Sequence, residues 1–76
     1  MARLTPQSWH TLKKVFELAG FREDRTSGDH ICMVRPGTPR PVIIPKYSEV
    51  GRDIIQANLR TAGLSRDAYL ALLRKA

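Results

Sequence analysis

The stretch TSGDHICMVRPGTPRPVIIPK, residues 26–46, decides the fold of this chain. His30 to Val34 is a short run of residues that favour β-strands. Residues 35–41 hold three prolines and a glycine, a composition typical of a hairpin loop. Val42 to Ile44 then forms a second strand, which Pro45 ends because it has no N–H to continue a ladder. The stretch therefore predicts an antiparallel hairpin.

Alternation within the first of these strands assigns its two faces. Successive side chains of a strand point to opposite sides of the sheet. Ile31 and Met33 are therefore expected to face a core, while His30, Cys32 and Val34 share the opposite, open face. On the same principle, Ile43 joins the open face if its two strand neighbours point inward.

The residues before the hairpin predict a third strand and a helix. Arg22 to Thr26 is short and polar, as expected of an edge strand, and a Ser-Gly-Asp turn joins it to His30. Further upstream, Thr5 is a candidate N-cap, Pro6 suits the first helical position, and Gly20 is a stop signal. Between them, apolar residues recur at helical spacing on one face: Trp9, Leu12, Phe16 and Ala19, with Val15 at its edge.

The residues after the hairpin predict two more helices. Ile55, Leu59 and Ala62 form an apolar stripe that Gly63 closes, and Ser65 is a candidate N-cap for a final helix. The predicted order is helix, three strands, helix, helix. We therefore expect an α+β fold in which a three-stranded antiparallel sheet has its helices on one face.

Composition favours one small domain with a polyanionic partner. With 76 residues the chain is expected to form a single domain over residues 1–76. It has 13 Lys and Arg against 7 Asp and Glu, a net charge of +6. Such an excess favours nucleic acid as the partner. The alternative is a generic charge excess on a domain with another role.

Cysteine content and hydropathy favour the cytoplasm. The single cysteine, Cys32, cannot form an intrachain disulfide, and with His10 and His30 it supplies too few ligands for a zinc site. The first residues lack the apolar core of a signal peptide, and no apolar run is long enough to span a bilayer. We expect no membrane association, no metal and no small-molecule cofactor.

His30 is the candidate catalytic residue, because histidine is the side chain best suited to proton transfer near neutral pH. RNA cleavage needs little else: a base takes the proton of a 2′-hydroxyl, the oxygen attacks the adjacent phosphate, and positive groups stabilise the growing charge. The alternative is a histidine that is merely exposed. Asp29 is a candidate to orient the His30 ring or stabilise its charged form, or else a simple turn former.

Four basic residues flank the strands and are candidates to bind phosphate. They are Arg25, Arg35, Arg40 and Lys46. Tyr47 is a candidate to stack on a base or to cap the core. A different class is also open, since the Gly63 turn and the Ser65-capped helix resemble a helix-turn-helix. In a DNA-binding regulator, Ser65, Arg66 and Tyr69 would face base edges.

Three segments resemble the HicA (YcfA-like) toxins of type II toxin–antitoxin systems. They are Thr26-Ser27-Gly28-Asp29-His30, Arg40-Pro41-Val42-Ile43-Ile44-Pro45, and the helix from Ile55 to the Ala62-Gly63 end. The most specific parts are the Gly-x-His turn, the strand ending in Val-x-x-Pro and the helix ending in Ala-Gly. The resemblance covers nearly the whole chain. The chain also resembles the longer members of this family, which continue with an added helix, as residues Arg66 to Leu73 are expected to do here.

The resemblance implies a fold like the double-stranded-RNA-binding domain and a metal-independent endoribonuclease that cleaves messenger RNA. It implies a HicB-type antitoxin as protein partner. The family's catalytic histidine matches His30 and its preceding glycine matches Gly28. The common family pattern is Gly-Ser-His, often followed by a second histidine. Here Asp29 replaces the serine and Ile31 the second histidine.

Overall fold

The fold has the predicted order of elements and the predicted α+β class. The computed structural model describes residues 4–76. The elements are α1 (Trp9–Leu18), β1 (Arg22–Ser27), β2 (His30–Val34), β3 (Val42–Pro45), α2 (Arg52–Ala62) and α3 (Arg66–Lys75). The arrangement is compatible with the double-stranded-RNA-binding-domain-like fold that the resemblance implies. Within residues 4–76, no helix combines the length and the apolar character needed to cross a bilayer.

The sheet is antiparallel, in the order β1-β2-β3, and β2 is its central strand. Ile31 lies opposite Ile44 and Met33 opposite Val42, and all four side chains are buried. His30, on the other face of β2, is exposed. The predicted alternation of β2 is therefore confirmed. The helices before and after the sheet in sequence pack on the face that carries Ile31 and Met33.

A β-bulge in β1 reverses the faces of the residues that precede it. Glu23 lies opposite Met33, but Arg25 lies opposite Cys32, so Asp24 is an extra residue in the ladder. Since directly opposed residues share a face, Arg25 lies on the open face with Cys32, and the bulge turns Glu23 to the helix side with Met33. If regular pairing continued from the turn, Glu23 would lie opposite Val34 on the open face.

The carboxylate of Glu23 fastens this bulge to α1. Lys13 Nζ lies 3.3 Å from Glu23 and 3.6 Å from Glu17, and the Thr26 hydroxyl donates to Glu23. The hydrogen bond from Thr26, followed by that from Lys13, lowers the pKa of Glu23 below its ordinary value. The Lys13 and Glu23 side chains are 31% and 38% exposed, so the contact positions β1 more than it stabilises the fold.

The first helix begins later than the sequence predicted. Thr5 and Pro6 were expected to start it, but the N-cap is Ser8, whose Oγ accepts the N–H of Thr11 at 3.2 Å. Both positions carry good start signals, so local sequence did not distinguish them.

Long-range pairing decides between the two starts. Gln7 and Val50 form an antiparallel bridge with N–H to carbonyl distances of 3.2 Å and 2.7 Å. The Trp9 N–H then donates to the Tyr47 carbonyl at 3.1 Å. Gln7 is therefore held against the segment after β3 and cannot enter the helix.

Gly20 stops α1, as predicted, and the helix end is a Schellman closure. Gly20 has φ of 98°, its N–H donates to the Glu17 carbonyl, and the Phe21 N–H donates to the Phe16 carbonyl at 2.9 Å. The Phe16 and Phe21 rings meet edge to face at 5.6 Å. Only glycine adopts this backbone conformation without strain.

The core lies between the sheet and the helices and includes a side chain from every element except β1. Its fully buried large members are Tyr69, Phe16, Leu12, Ile31, Met33, Ile44, Ile55, Val15, Val42 and Val50. The largest of these, Tyr69, comes from α3, which packs against α1. Ser65 caps α3 by accepting the Ala68 N–H, as predicted, and Gly63 ends α2 with φ of 67°.

Arg35, directly after β2, joins the ends of two helices. Its guanidinium donates to the Ala19 carbonyl at 3.1 Å and to the Ala62 carbonyl at 2.8 Å, which are the C-terminal carbonyls of α1 and α2. Nε donates to Thr38 Oγ1 at 2.9 Å, and the group lies 4.4 Å from the centre of the Phe21 ring. A cation at a helix C-terminus is favoured by the helix dipole, so Arg35 stabilises both ends at once.

Replacing this residue by Arg35→Met is expected to lower the free energy of unfolding by about 2 kcal/mol, because two helix-end carbonyls lose a charged donor. Urea unfolding followed by circular dichroism measures the change. Arg40→Met, in the same loop but exposed, is the matched control and is expected to change stability by less than about 0.5 kcal/mol. Equal effects of the two substitutions would contradict a structural role for Arg35.

The Tyr69 hydroxyl is buried and has no hydrogen-bond partner among residues 4–76, and burial raises the pKa of this group. Tyr69→Phe is expected to leave stability unchanged or to raise it by up to about 1 kcal/mol, because the unsatisfied group is removed. The pKa of Tyr69 is raised in the folded state. Its contribution to the free energy of unfolding is therefore fully present below the ordinary tyrosine pKa of 10.0 and is lost as pH rises through the folded value.

The parent should therefore lose stability at alkaline pH more steeply than Tyr69→Phe. Urea midpoints of both proteins, measured at neutral pH and on either side of the ordinary tyrosine pKa, check this. A clear loss of stability in Tyr69→Phe at neutral pH would show that the hydroxyl has a partner.

Candidate functional site

His30 lies at one end of the β2–β3 hairpin, next to the turn that joins β1 to β2. Gly28, in the turn, has φ of 58°. His30 is the first residue of β2 and pairs with Ser27 on one side and with Pro45 on the other. Its side chain is exposed. A side chain in this position is anchored by backbone pairing on both sides and is open to a large substrate.

Lys46 is held against the same turn. Its backbone N–H donates to the Asp29 carbonyl at 2.6 Å, which ties the chain after β3 to the residue before His30. Its Nζ lies 5.5 Å from the centre of the Trp9 ring, within the range of a cation–π contact. The backbone of Lys46 is therefore fixed at the His30 end of the sheet, and its ammonium group lies over Trp9 at the start of α1.

Arg25 lies on the same face of the sheet as His30. It pairs with Cys32, which in turn pairs with Ile43, so the three residues form a row across the open face. Cys32 is two residues along β2 from His30, a distance of roughly 7 Å. Arg25 enters this row through the regular pairing that continues from the turn before His30, and the bulge at Asp24 lies beyond it.

Arg40 and Arg35 are separated from this group. The loop of residues 35–41 lies at the opposite end of the hairpin, and the length of β2 from His30 to Val34 is roughly 13 Å. Arg40 is exposed there. The Arg35 guanidinium is already hydrogen-bonded to the carbonyls at the ends of α1 and α2. The fold therefore brings Gly28, Asp29, Lys46 and Arg25 together around His30, but not Arg40.

Aromatic side chains lie beside Lys46. The Trp9 and His10 rings stack with centroids 3.6 Å apart, and the Tyr47 side chain is 50% exposed. Tyr47 therefore does not cap the core. Trp9 packs against the core from α1, as predicted, and His10 is exposed.

An apolar patch surrounds His30 on the open face, as the alternation predicted. Cys32 and Val34 are half-buried, and Ile43 is 42% exposed. An exposed apolar patch is typical of a surface that binds a partner. Among residues 4–76, no group of three or more His, Cys, Asp and Glu side chains could hold a metal ion.

A sequence model of the family described as "HicA toxin of bacterial toxin-antitoxin" matches residues 9–64, from the first residue of α1 to the residue after Gly63. The chain belongs to the HicA toxin family. No curated protein and no solved structure matches it significantly. As a HicA-family toxin it has an antitoxin as its partner. The matched segment contains His30 and the residues grouped around it, whereas α3 lies outside it.

The two departures from the HicA pattern fall in different environments. Asp29 is exposed and directly precedes the exposed His30, so its carboxylate adds a negative charge next to the candidate site. Ile31, in place of the second histidine, is buried in the core. The first departure therefore alters the charge of the site, while the second belongs to the packing of the sheet on the helices.

In the helix-turn-helix alternative three side chains would face base edges, and two of them are engaged elsewhere in the fold. Ser65 is engaged as the N-cap of α3, and Tyr69 is fully buried. That leaves Arg66, which is exposed, and one side chain is too few to read a base sequence.

Proposed function

We propose that this chain is the toxin of a type II toxin–antitoxin system and a metal-independent endoribonuclease that cleaves messenger RNA in the cytoplasm. The proposal rests mainly on one observation: in a HicA-family chain, the histidine of the Gly-x-His turn is exposed on the uncovered face of the sheet, with a lysine held against the same turn. The net charge of +6 supports a polyanionic substrate.

In the proposed reaction His30 acts as the general base. It takes the proton of a ribose 2′-hydroxyl, the 2′-oxygen forms a bond to the adjacent phosphorus, and the bond from phosphorus to the 5′-oxygen breaks. The leaving 5′-oxygen takes a proton from water. The products are a 2′,3′-cyclic phosphate and a 5′-hydroxyl, and no step needs an oxidant or a cofactor.

The surrounding residues have distinct roles in this proposal. Lys46 and Arg25 stabilise the charge that grows on the phosphate oxygens. An added Cβ at Gly28 would meet nothing within 4 Å, so the turn is open to a close approach of the RNA backbone. Asp29 modulates His30 through the charge of its carboxylate. Arg40, at the far end of the hairpin, contacts phosphates remote from the cleaved bond.

The substitution His30→Ala tests the catalytic role. It is expected to lower the cleavage rate of purified protein by about 100-fold or more, the usual contribution of a general base, with little change in stability because the side chain is exposed. In cells, the parent stops growth and degrades messenger RNA, and the variant does neither. If both proteins bind RNA and neither cleaves it, a non-catalytic RNA-binding domain is the better account.

The charge of Lys46 is tested by the salt dependence of RNA binding. Lys46→Ala, measured in the uncleaving His30→Ala background, is expected to make the slope of log affinity against log salt shallower by roughly 0.7, the value for one lost phosphate contact on a single strand. Lys75→Ala, which removes the same charge from an exposed position in α3, is the control and should leave the slope unchanged. Equal slopes for the two variants would rule out a specific contact.

A HicB-type antitoxin is proposed to cover the open face and to inhibit by occluding His30. The exposure of Ile43 and the half-burial of Cys32 and Val34 support this face as its binding surface. Hydrogen exchange of the complex should show protection of β2 and β3. Protection limited to the helices would exclude this mode of inhibition.

A further inference from the structure

We propose that Tyr47 is a stacking site for one unpaired RNA base beside the phosphate cleaved at His30, supported by the stacked rings of Trp9 and His10 and by the charge of Lys46. This inference rests on the proposed function, because it takes RNA as the substrate. It goes further by assigning a residue for base contact and by selecting single-stranded segments as the substrate class.

The backbone of Tyr47 is fixed on both sides. Its N–H donates to the Pro45 carbonyl at 2.8 Å, and its carbonyl accepts the Trp9 N–H at 3.1 Å. Despite these bonds, half of its side chain is exposed. An aromatic ring on an anchored backbone has few torsions left to order, so stacking on it costs little conformational entropy.

The position of Tyr47 relative to His30 follows from strand pairing. His30 pairs with Pro45, and the Cα of Tyr47 is at most about 7 Å further along the chain. The bond from the Lys46 N–H to the Asp29 carbonyl keeps this segment against the turn that precedes His30. A nucleotide whose phosphate is at His30 therefore has its neighbouring base within reach of the Tyr47 ring.

The neighbours of Tyr47 favour nucleic acid over an apolar ligand. Lys46 precedes Tyr47, and its Nζ carries a positive charge 5.5 Å from the centre of the Trp9 ring, close enough in sequence to bind a phosphate next to a stacked base. Trp9 and His10, stacked at 3.6 Å, extend the aromatic surface at the start of α1. Alternating cations and aromatic rings bind the backbone and the base faces of a single strand together.

Stacking on Tyr47 requires a base whose face is free. In a duplex the base faces are covered by their neighbours, and duplex RNA is recognised through its shape and its backbone. Every base has a face that can stack, so the contact tolerates different sequences. The site therefore selects unpaired RNA, even though the fold class resembles that of a duplex-binding domain.

The test measures binding of a labelled single-stranded oligouridylate, and of a duplex RNA of the same length, to the full chain carrying His30→Ala. Fluorescence anisotropy gives the affinities. Tyr47→Leu, which removes the aromatic face but keeps an apolar side chain, is expected to weaken single-strand binding by about five-fold or more and to leave duplex binding unchanged. Tyr47→Phe is expected to bind like the parent. Leu18→Ala, at another exposed apolar position in α1, is the control.

Unchanged single-strand binding by Tyr47→Leu would overturn the proposal, as would an equal loss for single strand and duplex. A loss of antitoxin binding without a loss of RNA binding would also overturn it, because Tyr47 would then belong to a protein interface. Circular dichroism and the fluorescence of Trp9, the single tryptophan, verify that each variant is folded.

Cleavage assays separate this proposal from the function on which it rests. With His30 present, Tyr47→Leu should raise KM for single-stranded RNA more than it lowers kcat. If His30→Ala cleaves as fast as the parent, the catalytic assignment fails, while the comparison of Tyr47→Leu with Tyr47→Phe still decides whether a base stacks here.

Discussion

The contact of the Arg35 guanidinium with two helix ends is the interaction on which the rest of this small structure depends. One group at the end of β2 satisfies the terminal carbonyls of both α1 and α2 and lies over the Phe21 ring. The central strand is thereby fixed to both helices at one point. A chain of 76 residues buries only a small core. A polar contact that joins three elements is therefore important for its free energy of unfolding.

The second constraint is that the helices occupy only one side of the sheet. Period-two alternation sends Ile31 and Met33 into the core and leaves His30 and Cys32 on the other face. Core packing and the proposed substrate contact thus lie on opposite sides of the same strand. Regular pairing from the turn places Arg25 on the open side as well, opposite Cys32. Substitutions on the open face can therefore change function with little effect on folding.

Local sequence predicted the elements well and the contacts between them poorly. Turns, helix stops and strand alternation depend on neighbouring residues, so the end of α1 at Gly20 and the cap at Ser65 were predicted correctly. The predicted start of α1 was wrong because the observed start depends on the bridge between Gln7 and Val50, two residues that are far apart in sequence. In the candidate site, His30 and the Gly-x-His turn were found from sequence. The role of Arg35 and the grouping of Lys46 with Trp9 depend on tertiary packing, which no local pattern records.

The position of Tyr69 has a consequence for the order in which the protein is synthesised. A ribosome that has reached Leu64 has already produced His30, the whole sheet and the segment that matches the HicA toxin family. It has not yet produced α3, and the largest side chain of the core is still missing. A nascent chain of that length exposes the apolar face of α1 that α3 later covers. Completion of the fold is therefore delayed until translation has passed α3, well after the residues of the candidate site have been made.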